Sequence, residues 1–213
     1  MTDHYFTREP RSVHQPARVD FSYRGHPLVF LTDSGVFSRF EVDQGTALLL
    51  NVLPDSLSGE VLDMGCGYGV IGVCVGKAWP GCAVTMADVN ERAVDLASQN
   101  AARNGVKAQA LQSDGYAEIP VERSFDLILQ NPPIRAGKPV IYAMFADGAK
   151  RLAPSGALWL VIRRQQGAPS AVTYLRTLFG DVSAVEKKGG YWVLRCQSPL
   201  TGESTGGKQT RDF

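Results

Sequence analysis

The sequence has no long apolar run. Its longest uninterrupted stretch is seven residues, Val140 to Ala146, against the ~18 or more that a membrane-spanning helix needs. A helical span is therefore excluded. The first ten residues, MTDHYFTREP, carry no apolar segment of the kind a secretory leader has. Cysteine is scarce: Cys66, Cys74, Cys82 and Cys196 form no CxxC pair, which speaks against both a zinc site and a disulfide framework. The three histidines, His4, His14 and His26, all lie in the N-terminal region with no acid–base or metal partner in view. They read as surface or packing residues, and no metal is expected. The expectation is a cytoplasmic protein with free, buried thiols and no membrane contact.

What is present is a globular balance, 44% hydrophobic and 20% charged residues, which rules out a wholly disordered chain. At 213 residues the chain is longer than one typical domain and shorter than two. The net charge of +1 hides an asymmetry: residues 1–120 carry nine Lys and Arg against fourteen Asp and Glu, residues 121–213 thirteen against seven. Contact with a polyanion would use such an asymmetry, and ordinary solvated surface charge also produces it. No internal repeat is visible. Residues 1–18 read as a polar arm, residues 19–197 as one domain, and residues 198–213 (SPLTGESTGGKQTRDF) as a disordered tail without apolar period.

Within the domain, the segments Val19–Tyr23 and Leu28–Leu31 flank Arg24-Gly25, a hairpin signal. Thr46–Leu53 reads as a short helix capped by Asp43 and ended by Pro54. Strands and helices then alternate. Strands are expected at 61–63, 84–87, 108–111, 125–129 and 157–162; helices at 70–79, 91–104, 140–152 and 170–179. Two late strands, 182–186 and 192–196, are joined at Gly189-Gly190 and pair antiparallel. The expected fold is α/β: a doubly wound, Rossmann-like, mostly parallel sheet of seven strands with an antiparallel last strand, plus a small N-terminal hairpin. Ligands on such sheets bind beyond the carboxyl ends of the strands, where the strand order reverses.

At the first such end the chain reads Asp63-Met64-Gly65-Cys66-Gly67-Tyr68-Gly69. Glycines at alternate positions let backbone approach a ligand closely at the N-terminus of a helix. The spacing fits a dinucleotide fingerprint as well as other nucleotide-like ligands, because Gly72 completes a second match. The acids discriminate. Asp63, just ahead of the glycines, would repel a pyrophosphate but could accept from an amino-acid ammonium group. Asp88 ends the second strand of the run, where an acid binds ribose hydroxyls, and Asp114 ends the third, where it could accept from an adenine amino group. A ribose, an adenine and a cationic amino-acid end together describe S-adenosylmethionine.

The fourth strand end runs into Asn131-Pro132-Pro133-Ile134. Two prolines stiffen the loop and remove backbone donors. The Asn131 amide oxygen and the Pro132 carbonyl are then rigid acceptors for the two hydrogens of an NH₂ group, aiming its lone pair at a methyl donor and stabilising the charge that develops on it.

These motifs resemble those of the class I S-adenosylmethionine-dependent methyltransferases, and more narrowly the methyltransferase small domain group, which includes small-subunit ribosomal RNA guanine-N2 methyltransferases. The resemblance runs from about Asp33 to Cys196 and takes in Gly35-Val36-Phe37-Ser38, Asp43–Leu50, the glycine turn, Asp88, Asp114 and Asn131-Pro132-Pro133. It implies that Asp88 binds ribose, Asp114 adenine and Asn131-Pro132 the acceptor nitrogen, that Phe37 lies near the cofactor, and that the partner is RNA of the ribosome. Protein-glutamine N5- or adenine-N6 transfer and a non-catalytic RNA-binding relative are the alternatives; a nicotinamide oxidoreductase is opposed by Asp63. The chain departs from the family pattern at Ile134, where an aromatic residue usually stacks on the acceptor; Phe37, Phe40 and Tyr142 are candidates to replace it. Arg135 and Lys138 after that motif, and Arg163 and Arg164 after the fifth strand, are expected with Ile134 on the acceptor side, where the cations would meet RNA phosphates.

Overall fold

In the computed structural model, which describes Arg8 and residues 12–200, the chain opens with an antiparallel hairpin of β1 (Ala17–Tyr23) and β2 (His26–Thr32). Arg24 and Gly25 turn it with φ of 45° and 79°, the double positive φ whose twist matches paired strands. Arg24, the residue for which that conformation is unfavourable, lays its guanidinium 4.7 Å over the Trp79 ring and donates to the Leu53 carbonyl.

The elements that follow are α1 (Gln44–Asn51), β3 (Gly59–Met64), α2 (Val70–Ala78), β4 (Cys82–Asp88), α3 (Glu91–Arg103), β5 (Ala108–Gln112), β6 (Phe125–Gln130), α4 (Lys138–Lys150), β7 (Leu152–Arg163), α5 (Ala168–Leu175), β8 (Phe179–Lys188) and β9 (Tyr191–Pro199). Seven strands form one sheet in the order β5-β4-β3-β6-β7-β9-β8. Only β9 runs against the others, since it pairs antiparallel with both β7 and β8. This is the expected doubly wound sheet with its antiparallel last strand. Side chains alternate between two cores. Val61, Leu127, Leu129 and Trp159 face the hairpin and α1 to α3. Leu62, Ile128, Leu158 and Leu160 face α4 and α5. Burial on both faces explains why the central strands are continuously apolar. Among the described residues no helix is long and apolar enough to cross a membrane.

The hairpin is held to the domain by two asparagines one turn apart on α3. Asn100 accepts from Leu31 N at 2.7 Å and donates to Leu31 O at 2.8 Å. Asn104 does the same with Val29 at 3.0 and 2.9 Å. Both amides continue the ladder on the exposed edge of β2, each bond worth about 1 kcal/mol. They carry the following loop, residues 33–43, to the carboxyl edge of the main sheet.

Several boundaries differ from the sequence expectation. Pro154-Ser155-Gly156 does not stop the chain; β7 begins at Leu152 and absorbs the interruption as a register shift against β6 between Phe125 and Leu127. Gly156 is needed there, because a Cβ would lie 2.7 Å from the Phe125 carbonyl. Phe179 opens β8 instead of closing α5 and pairs with Pro199. Strand β1 includes Ala17 and Arg18, and β9 includes Ser198 and Pro199, so the domain extends slightly beyond 19–197 at both ends. Part of the expected arm is packed as well: His14 Nδ1 meets Asp33 Oδ2, and Gln15 N donates to Asp33 Oδ1 at 2.6 Å. The expected disorder of residues 201–213, and His4, lie outside the described residues.

Candidate active site

The carboxyl ends of β3, β4, β5 and β6 open onto one cavity of about 1010 Å³. Single-ligand pockets span ~300–1,000 Å³, so this one has room for a cofactor-sized ligand and a second group beside it. Of the residues expected at the site, Phe37, Gly65, Gly67, Asp88, Asp114 and Asn131 line it, as do Pro132 and Pro133.

The glycines divide into two roles. Gly65 and Gly67 adopt φ of 72° and 54°, and a Cβ on either would meet nothing within 4 Å; open space lies in front of this turn. Gly69 does not line the cavity. Its Cβ would press on Ala97 at 3.0 Å, and that of Gly72 on Met86 at 2.5 Å. These two are small so that α2 can pack against α3 and β4.

Asp63 is likewise displaced from the expected ligand contact. It is fully buried beneath the turn, does not line the cavity, and accepts from Gly72 N at 2.8 Å. Its carboxylate therefore fixes the first turn of α2 rather than touching the ligand directly. Burial pushes its pKa up to about 7, with the Gly72 N–H opposing the rise and the Asp88 charge adding to it.

Asp88 stands where β4 meets the cavity. Its Oδ2 accepts from Gly67 N at 2.8 Å and its Oδ1 from Asn90 N at 2.9 Å. Helix α3 is capped by Asn90, whose Oδ1 accepts from Ala93 N, so Asp88 is not occupied as the cap. Burial raises its pKa against three opposing backbone N–H bonds, from Asn90, Gly67 and Val89. Asp114 is exposed at the far wall, on a loop whose backbone N–H donates to Glu118 at 2.9 Å. Cys66 also lines the cavity, but burial foremost, then the Asp88 and Asp63 charges, hold its thiol well above the usual range. It stays neutral and is no nucleophile.

At the end of β6, next to the glycine turn, Asn131 Nδ2 donates to Asp43 Oδ2 at 3.1 Å and to Thr46 Oγ1 at 2.9 Å. Sequence reading gives Asp43 the role of capping α1, which it fills through Thr46 N at 3.0 Å, and otherwise counts it only within the Asp43–Leu50 segment of the family resemblance, with no role in the site. Tyr68 is a second unexpected part: its hydroxyl donates to the Ser38 and Glu41 carbonyls and ties the 33–43 loop to the glycine turn.

Ile134 does not line the cavity; it packs on the core under α4 and α5. Tyr142 is also engaged elsewhere, stacked on Tyr174 at 4.2 Å. Phe40 is 76% exposed with Arg39 over its ring at 4.8 Å, which leaves Phe37 as the aromatic candidate on the cavity wall. Arg135, Lys138, Arg163 and Arg164 are exposed at the carboxyl ends of the neighbouring strands β6 and β7, Lys138 as the first residue of α4 and Arg163 as the last of β7, and none of them lines the cavity. Among the described residues no group of His, Cys, Asp and Glu is arranged to hold a metal.

Residues 27–195 match the methyltransferase small domain model. The chain is 42% identical over 199 residues to the uncharacterized protein YbxB of Bacillus subtilis, covering 92% of this chain and 99% of that one. It is 40% identical over 163 residues to ribosomal RNA small subunit methyltransferase C of Haemophilus influenzae Rd, covering 75% of this chain and 48% of the relative. Identity to ribosomal RNA large subunit methyltransferase G of Shewanella amazonensis is 30%, over 87% of this chain and 49% of that one. The chain thus spans about half the length of the ribosomal RNA methyltransferases it matches. The solved T. thermophilus 16S rRNA N2 guanine methyltransferase, in complex with AdoMet and guanosine, superimposes with a TM-score of 0.79 at 28% identity, over 89% of this chain and 52% of that one.

Proposed function

The chain belongs to the methyltransferase small domain family of S-adenosylmethionine-dependent methyltransferases, and from that premise we propose that it methylates the exocyclic N2 of a guanine in small-subunit ribosomal RNA. The observation that carries the reading is the Asn131 amide. Its NH₂ is bonded to Asp43 and Thr46, so its oxygen is left as an acceptor beside the Pro132 carbonyl, across the cavity from the acids at the ends of β4 and β5.

The donor set fits the cofactor. The bare backbone at Gly65 and Gly67 leaves the space a bound ligand fills, Asp88 can accept from ribose hydroxyls, and Asp114 from an adenine amino group. When bound, S-adenosylmethionine supplies an electrophilic methyl carbon on a sulfonium. The chain's own residues do the rest. Asn131 Oδ1 and the Pro132 carbonyl accept the two N–H bonds of the guanine amino group and turn its lone pair toward that carbon. The same two oxygens stabilise the positive charge that grows on nitrogen. The nitrogen sheds a proton to solvent after transfer, so no strong base is required. The exposed cations after β6 and β7 supply sequence-independent affinity for RNA phosphates.

The relatives act on both ribosomal subunits by name, so the test must locate the product. Ribosomal RNA from a strain lacking the gene, digested and mapped by mass spectrometry, is expected to lack one N2-methylguanosine in the small subunit, and purified protein with S-adenosylmethionine should restore it. A loss confined to the large subunit would move the target there. An unchanged nucleoside profile, with no methyl incorporated in vitro, would remove the RNA reading.

A further inference from the structure

The Asn131 amide is held by Asp43 and Thr46, from more than eighty residues earlier in the chain, and Asp43 is in turn met by Tyr191 from the far end of the domain. Asp43 Oδ2 serves two donors at once, Thr46 N at 3.0 Å and Asn131 Nδ2 at 3.1 Å. Thr46 Oγ1 accepts from the same Nδ2 at 2.9 Å. The Tyr191 hydroxyl reaches the other carboxylate oxygen, Asp43 Oδ1, at 3.4 Å. Gly45 makes this convergence possible: a Cβ there would lie 2.7 Å from Tyr191 Cε1 and 2.9 Å from Asp43 Oδ2. Asp43, Thr46 and Asn131 all line the cavity.

The partners of the amide are not equivalent. A hydroxyl can donate or accept, so Thr46 tolerates an amide turned either way. A carboxylate only accepts. Turning the Asn131 amide over would set its oxygen against the Asp43 carboxylate, two acceptors with no proton between them. Asp43 is therefore the group that decides which end of the amide faces the acceptor. Its negative charge, acting through the Nδ2 hydrogens, also polarises the amide and enriches the oxygen in negative charge.

We infer that Asp43 is a positioning residue for methyl transfer: its carboxylate locks the Asn131 amide with the oxygen toward the acceptor nitrogen. The inference rests on the acceptor role proposed above for Asn131. It assigns a second duty to a residue whose local signature is only that of a helix cap.

The cap and the lock can be separated. Asparagine and serine cap helices about as well as aspartate, but neither carries the charge, and asparagine can itself rotate to accommodate a reversed amide. For Asp43→Asn and Asp43→Ser, melting temperatures should stay within about 2 °C of the parent. S-adenosylmethionine affinity, by calorimetry, should stay within about twofold, while turnover on ribosomal RNA from the deletion strain falls at least about tenfold. The side-chain amide signals of Asn131, assigned in a ¹⁵N-labelled protein by their loss in Asn131→Ala, should shift and exchange faster with solvent in both variants. Unchanged amide signals would show that Asp43 is a cap and nothing more. Released amide signals with parental turnover would likewise overturn the positioning role, since the amide's orientation would not matter to the chemistry. Released signals in a protein whose parent methylates no ribosomal RNA would uphold the lock and remove the proposed function instead.

Discussion

Gly67 and Asp88 meet at the floor of the cavity, where the Gly67 N–H donates to Asp88 Oδ2 at 2.8 Å across 21 residues of sequence. The carboxylate thus fixes the open turn to the end of β4 and, through Asn90 N at 2.9 Å, orders the start of α3. One acid organises the backbone around the ligand space, and the proposed function assigns its remaining lone pairs to the ribose hydroxyls.

Removing it should therefore affect both. Asp88→Ala is expected to weaken S-adenosylmethionine binding by about 2–4 kcal/mol, taking charged hydrogen bonds at ~1.5–3 each with partial compensation by water. It should also lower the melting temperature, because the backbone N–H groups of Gly67, Val89 and Asn90 lose their acceptor. Asp88→Asn keeps one acceptor oxygen and should fall between. Calorimetry and a thermal melt on the three proteins decide it. Parental affinity in the alanine variant would mean that the ribose lies elsewhere.

Asn131→Ala should separate binding from chemistry. Asn131 leaves β6 next to the glycine turn, but the role proposed for its amide is toward the acceptor and not the cofactor, so cofactor affinity should hardly change. The methyl-transfer rate is expected to drop by about 10²-fold or more, as for a group whose hydrogen bond strengthens in the transition state. Single-turnover kinetics with saturating S-adenosylmethionine read the rate directly, and a variant with the parent's rate would refute the assignment.

Asp63 makes a pH-dependent contribution with a definite sign. In the unfolded chain its carboxyl titrates near ~3.9; in the fold, burial raises it to about 7. Between those values the folded state keeps a proton that the unfolded state has lost. Stability from this group is therefore greatest near the acid end of the window, falls as pH rises through it, and levels off above about 7. From pH 5 to pH 8 the loss should be roughly 2–3 kcal/mol. Asp63→Asn keeps an oxygen for the Gly72 N–H but cannot titrate, so its stability should lack this slope. Urea denaturation at the two pH values compares them; parallel profiles would show that Asp63 is already ionised in the fold.

The sheet and the glycine turn are legible in the sequence because their signals are local: unbroken apolar strands, periodic helices, and glycines at a strand end. The Asn131 clamp is legible only in half. Asn-Pro-Pro announces itself, whereas Asp43 lies 88 residues earlier, and its cap signature with Thr46 accounts for it fully at short range. Ile134 and Gly69 show the opposite error. Both sit inside a site motif, but Ile134 turns to the core and Gly69 to Ala97, because a motif fixes the path of the backbone and not the direction of each side chain. Asn100 and Asn104 escape notice for a third reason. Apolar periodicity credits only apolar residues, so it overlooks the two amides that hold the hairpin.

The basic rim tests whether the acceptor is RNA. Arg135, Lys138 and Arg164 are exposed beside the mouth of the cavity. Arg163 is better kept apart from them, since its guanidinium lies 4.7 Å over the Tyr191 ring, and Tyr191 touches Asp43; replacing it would disturb the clamp as well as the rim. The triple variant Arg135→Gln, Lys138→Gln, Arg164→Gln should weaken RNA binding and flatten its dependence on salt, by up to ~0.7 of log–log slope for each single-stranded phosphate that is no longer neutralised. Cofactor affinity should stay at the parent value, because none of the three lines the cavity. Arg163→Gln alone should lower the slope by no more than the share of a single phosphate and, through Tyr191, reduce turnover further than weaker binding explains. A protein acceptor would show little salt dependence in parent or variant. Filter binding across a salt series separates these cases, and equal slopes for parent and triple variant would mean that the rim is ordinary solvated surface and that RNA, if bound, is held by other groups.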